Sequence, residues 1–130
     1  MSTPRPPLLG IRHVALFIRD LDAAERFWVD VMGYEVEWRP DPDNVYLRGG
    51  SDNLALHRAA PGAAASAGSL DHIGLAVPTA EAVDAWAAHL AAKGVALKAQ
   101  PKTHRDGSRS LYFHAPEGLL VQIIHHVPMT

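Results

Sequence analysis

Residues 11–18 read Ile11-Arg12-His13-Val14-Ala15-Leu16-Phe17-Ile18, and residues 70–77 read Leu70-Asp71-His72-Ile73-Gly74-Leu75-Ala76-Val77. Both are apolar runs of strand length carrying one histidine near their start. His13 and His72 stand 59 residues apart. The same offset relates the segments downstream of the two runs. Ala24, Phe27, Trp28 and Val31 fall at i, i+3, i+4 and i+7, one apolar helix face. Val83, Trp86, Ala87 and Leu90 repeat that face. Asp22 is the expected N-cap of the first helix, with Glu25 completing a capping box, and Gly33 its stop; Thr79 and Gly94 serve the second. A histidine and a helix face sharing one offset mark an internal duplication.

Three strands are predicted after each helix. The first set is 34–39, 45–48 and 53–58; the second is 95–99, 110–114 and 119–125. Tyr34, Val36 and Trp38 alternate with Glu35, Glu37 and Arg39, the pattern of a half-buried strand. Turn-forming stretches rich in Pro, Gly, Asp and Asn separate the strands. The reading is therefore an α+β protein of two βαβββ modules in tandem. A tail and first module occupy 1–58, a linker of small residues, Pro and Gly occupies 59–69, and a second module occupies 70–130. A sheet with a helix on one face needs a partner for the other, so the modules are expected to turn their open faces together, forming a partly closed barrel-like cavity.

Composition narrows the chemistry. The chain has 130 residues, enough for one ordinary domain or two small halves around a shared core. A net charge of −2 argues against a nucleic-acid surface. No stretch has the length of a membrane span, and the first residues lack an apolar signal core, so a cytoplasmic protein is expected. There is no cysteine, which excludes disulfides, thiolate metal sites and a Cys nucleophile. Histidine is abundant, with eight residues.

Strand alternation puts His13 with Ala15 and Phe17, and His72 with Gly74 and Ala76. Aligning residues 51–57 with 116–122 sets His57 opposite Gln122. His13, His57, His72 and Gln122 are then expected to face one cavity, where three imidazoles and an amide oxygen suit a first-row divalent metal. Copied structural histidines are the competing explanation. His126 is a reserve ligand; His89, His104, His114 and His125 read as surface residues.

The stretches Ile11-Arg12-His13-Val14-Ala15-Leu16, Asp20 to Trp28 and Met32-Gly33-Tyr34 resemble the opening of a vicinal oxygen chelate protein, the superfamily of glyoxalase I, bleomycin resistance proteins and extradiol dioxygenases. Residues 70–77 repeat it, and Ser110 to Gln122 is similar to its closing motif. The resemblance implies paired modules, a homodimer, and a divalent metal (Fe, Zn, Ni or Mn) chelating neighbouring oxygens of a small substrate. It places the superfamily's strand histidines on His13 and His72, and its last-strand glutamate on Gln122. The matching position in the first module is His57 or, with a two-residue slip, Ala55. Gln122 replaces a carboxylate, which removes the obvious general base and disfavours an iron site with two His and one carboxylate.

These residues support two functions. One is a metal-dependent lyase, isomerase or dioxygenase whose substrate meets Tyr46, Arg48 and Tyr112. The other is a metal-free binder of small molecules or antibiotics, using aromatic surfaces that include Phe17, Trp38 and Phe113.

Overall fold

The computed structural model describes residues 5–63 and 68–126. The start of the tail, the centre of the expected linker and the last four residues of the second module lie outside the described residues. The chain divides into two compact units, 1–61 and 62–130.

The first module runs β1 (His13–Ile18), α1 (Leu21–Arg26) continued by one wide π turn (Phe27–Val31), β2 (Glu35–Asp41), β3 (Asn44–Arg48) and β4 (Asn53–Arg58). Its sheet has the order β1-β4-β3-β2, with β1 parallel to β4 and the other pairs antiparallel. The second module runs β5 (Ile73–Ala76), α2 (Ala80–Ala92), β6 (Leu97–Thr103), β7 (Arg109–His114), a short 3-10 turn (Pro116–Gly118) and β8 (Leu120–His125). Its order, β5-β8-β7-β6, repeats the first. Both modules are βαβββ and the protein is α+β, as the duplication implied.

One face of each sheet lies under its helix. In the first module Ile18, Val45, Leu47, Leu54 and Leu56 are buried with Leu21, Ala24, Trp28 and Met32. In the second, Leu111, Phe113, Val121 and Ile123 are buried with Val83 and Leu90. Removing these apolar surfaces from water is the main force holding each helix on its sheet.

The first helix departs from expectation. Its N-cap is Asp20, whose side chain accepts from the Ala23 amide at 3.1 Å, two residues before the expected Asp22. Glu25 is not part of a capping box; it pairs with Arg39 on β2. After Arg26 the helix widens, and the Met32 amide reaches back five residues to the Phe27 carbonyl. The buried set is Leu21, Ala24, Trp28 and Met32, while Phe27 and Val31 stay half-exposed. Thr79 caps α2 as expected, accepting from the Ala82 amide, and Gly94 adopts the left-handed φ of +78° just beyond its end.

The expected alternation of β2 also fails. The strand is exposed throughout, and Trp38 is 60% exposed. Val36 pairs with Leu47 but Trp38 with Tyr46, so a bulge at Glu37 turns two residues of like parity to opposite faces. The second module carries the same bulge: Leu97 pairs with Phe113, and Ala99 with Tyr112.

A loop contact braces the first module. Asp52 Oδ1 accepts from the Gly49 and Gly50 amides, while Oδ2 accepts the Tyr34 hydroxyl at 2.7 Å. Burial and the neighbouring carboxylate push the Tyr34 phenol well above its usual pKa. Gly49 is required by this packing, since a Cβ there would clash with the Tyr34 ring.

Candidate functional sites on the open sheet faces

The face of each sheet opposite its helix carries the polar side chains. Register defines its rows. In the first module His13 lies across from Asn53, Ala15 from Ala55, and Phe17 from His57. On the next strand Ala55 pairs with Tyr46 and His57 with Asn44. In the second module Gly74 lies across from Gln122 and Ala76 from Ile124. Gln122 pairs with Tyr112, and Ile124 with Ser110.

Matching the rows corrects one alignment. Gln122 sits one row beyond His72, opposite a tyrosine; the residue one row beyond His13 and opposite a tyrosine is Ala55. His57 corresponds instead to Ile124. The alignment of 51–57 with 116–122 is therefore two residues out of register, and the alternative position, Ala55, is the one that matches Gln122.

A second correction concerns Phe113. It is fully buried on the helix side of β7, so it is a core residue and not a ligand contact. Tyr112, its neighbour, faces the opposite way. Tyr46 and Arg48 share the open face of β3, and Arg48 lines a shallow depression with Glu35, Val36 and Glu37.

The histidines are held alike. His13 Nδ1 is 2.7 Å from Asn53 Oδ1, and His72 Nδ1 is 2.7 Å from Asp71 Oδ2. His57 Nδ1 is 2.6 Å from Asn44 Oδ1. An amide or carboxylate oxygen accepts, so Nδ1 carries the proton and Nε2 keeps the lone pair in the neutral ring. This is how a metal-ligating histidine is normally oriented, with its second nitrogen tied to an oxygen. Asp71 and Asn53 are partners that hydrophobic patterning misses; adjacency to His72 for one, and register opposite His13 for the other, are the signals that find them.

In the second module three residues converge. The Tyr112 ring meets His72 edge-on, with centroids 5.3 Å apart, and Gln122 Nε2 donates to the Tyr112 hydroxyl at 3.0 Å. Gln122 Oε1 looks onto the bare backbone of Gly74, where a Cβ would stand 3.3 Å away. Within the second module, the Nε2 lone pair of His72 and the amide oxygen of Gln122 beside a glycine are donor types that suit a divalent cation. Within either module, no three His, Cys, Asp or Glu side chains gather among the described residues.

The first module instead carries aromatics. Trp38 stacks on Tyr46 (5.3 Å, 20°), Tyr46 meets His57 edge-on (5.9 Å), and His57 lies beside Phe17 (6.2 Å). His104 hydrogen-bonds the buried Ser110 Oγ through Nε2 at 2.8 Å, fastening the β6–β7 loop. His125 Nδ1 lies 3.4 Å from the Val77 carbonyl.

The sequence profile of the Glyoxalase/Bleomycin resistance protein/Dioxygenase superfamily matches residues 10–123. The chain belongs to this superfamily. Solved structures agree with that placement. A lactoylglutathione lyase from Agrobacterium tumefaciens is 25% identical with a TM-score of 0.73, the match covering 92% of this chain and 96% of that one. A glyoxalase/bleomycin resistance protein/dioxygenase from Alicyclobacillus acidocaldarius is 19% identical (TM-score 0.73, 92% and 93% covered). A glyoxalase-related enzyme from Fulvimarina pelagi is 21% identical (TM-score 0.74, 92% and 89% covered). These last two share the fold. No protein with a curated description matches the sequence. Among the described residues, no helix of this superfamily member is long and apolar enough to cross a membrane.

Proposed function

We propose that the protein is a cytoplasmic homodimer that binds a divalent metal (Fe, Zn, Ni or Mn) through His13, His72 and Gln122. We further propose that it acts as a lyase, isomerase or dioxygenase on a small substrate with neighbouring oxygens. The observation that carries this reading is the matched tethering of His13 and His72, each with Nδ1 fixed by a side-chain oxygen and Nε2 left as the donor. Membership of a superfamily with glyoxalase-like neighbours supports the substrate class. A metal held there supplies Lewis acidity toward a substrate oxygen.

The chain's own residues do the rest. Asn53 and Asp71 orient the two imidazoles. Tyr46, Arg48 and Tyr112 stand on the open faces as substrate contacts. The donor set is neutral, so positive charge at the site is not cancelled by a ligand carboxylate, which favours anionic, oxygen-rich ligands.

Elemental analysis of protein purified without added metal, followed by loading with Fe, Zn, Ni and Mn, tests the reading. Stoichiometric metal that disappears in His13→Ala and His72→Ala is the expected result. A protein that takes up none of the four sinks it. Titration with a dicarbonyl and a catechol then separates reaction classes, and light scattering reads the oligomer.

One observation favours a second reading. Ala55 offers no donor where the other module has Gln122, and a stacked Trp38–Tyr46 pair lies beside it. A metal-free protein that sequesters flat, aromatic small molecules uses such a surface. Binding of a glycopeptide drug without metal, abolished by Trp38→Ala, is its signature.

A further inference from the structure

Gln122 differs from every other candidate donor in having two unlike ends. Its oxygen can bind a cation; its NH₂ group cannot. A carboxylate has no such choice to make. Whichever way the amide turns, its other end needs a partner, because Gln122 is only 9% exposed and an unsatisfied N–H at such a site is costly.

We propose that Tyr112 is a positioning residue: its hydroxyl accepts from Gln122 Nε2 and so holds the amide with Oε1 turned toward Gly74, presenting oxygen rather than nitrogen to a cation. Two features support it, the 3.0 Å contact between Nε2 and the hydroxyl and the open space that Gly74 leaves at Oε1. The other module offers a control. Tyr46 occupies the same register position as Tyr112, yet it faces Ala55, has no amide to hold, and stacks its ring on Trp38. Ala99 stands where Trp38 would be, so the Tyr112 ring has no such stacking partner across the strand. Only what the oxygen faces rests on the proposed metal site; the amide's orientation belongs to the metal-free chain.

Tyr112→Phe keeps the ring against His72 and removes the hydroxyl alone. In metal-free protein, nuclear Overhauser contacts from the Gln122 side-chain amide protons to the Tyr112 ring are expected. Contacts from those protons to the Gly74 Hα instead overturn the proposal. With Co²⁺ as the probe, Tyr112→Phe is expected to weaken binding by roughly 10–100-fold, the range for losing a residue that orients a ligand. In the Gln122→Glu background, where both ends are oxygen, the same change is expected to cost far less. Equal losses in the two backgrounds assign Tyr112 a merely structural role and overturn the proposal. If native protein binds no Co²⁺ while the amide contacts point to Tyr112, the metal reading fails and the positioning role stands.

Discussion

The two modules share a strand order, a duplicated bulge and a tethered histidine, yet they differ in what surrounds that histidine. The second sets a glutamine and a tyrosine beside His72. The first sets an alanine and an aromatic ladder of Trp38, Tyr46, His57 and Phe17 beyond His13. Duplication has kept the helix-side core, where packing tolerates few changes, and has let the open faces diverge. Both open faces keep a tethered histidine, but one adds an amide and a phenol beside it and the other adds stacked rings.

The most disruptive test of this comparison is in the cores. Trp28→Ala empties the largest fully buried side chain and should destabilise the first module by about 3–5 kcal/mol. Leu90→Ala should cost about 2–5 kcal/mol in the second. Denaturant unfolding followed by module-specific probes shows whether each loss stays within its own unit. Next in size are the histidine tethers. Asp71→Asn keeps an oxygen near His72 and Asp71→Ala removes it, so metal affinity should fall in the alanine variant by roughly 10–100-fold and less in the asparagine variant. Asn53→Ala makes the matching test at His13, read by Co²⁺ titration.

Rebuilding the missing donor sharpens the contrast further. Ala55→Gln recreates opposite Tyr46 the pair seen at Tyr112 and Gln122. Metal affinity should rise, provided the thermal midpoint shows that the buried position tolerates the longer side chain. The smallest effect concerns the exposed braces between helix and sheet. Arg109 donates through Nε and Nη2 to Asp84 on α2, and this hydrogen-bonded pair holds the Asp84 carboxyl below its ordinary value of 3.8 and the Arg109 guanidinium above its own. A depressed carboxyl contributes stability above its unfolded pKa and loses it as pH falls through the lower folded value. Thermal midpoints of native protein and Asp84→Asn should therefore converge below about pH 3.8, and high salt should shrink the difference at neutral pH.

Much of this architecture is legible in the sequence because hydrophobic periodicity is local. The repeat of His13 at His72, and of one helix face at the other, yields both βαβββ modules. What escaped depends on register, which is set between strands. The Glu37 bulge overrides the parity of Val36 and Trp38, and strand pairing places Ala55, not His57, in the row that Gln122 occupies in the second module. Tyr112 and Phe113 read equally well as ligand contacts until pairing with Gln122 and Val121 assigns them to opposite faces. The wide turn after Arg26 is a backbone choice that carries burial from Val31 to Met32. Asp20 outcompetes Asp22 as a cap because its oxygen reaches the Ala23 amide.

The tyrosine ring that fills the space above Gly49 makes those two positions a lock with a fixed order of opening. A side chain enters at 49 only after the ring at 34 has been made smaller. Starting at 49 meets the ring; starting at 34 does not. Sequences drifting away from this one can therefore cross that step in one direction. A library randomised at position 49 alone should return glycine, whereas one randomised at 34 and 49 together should recover combinations that neither single library contains.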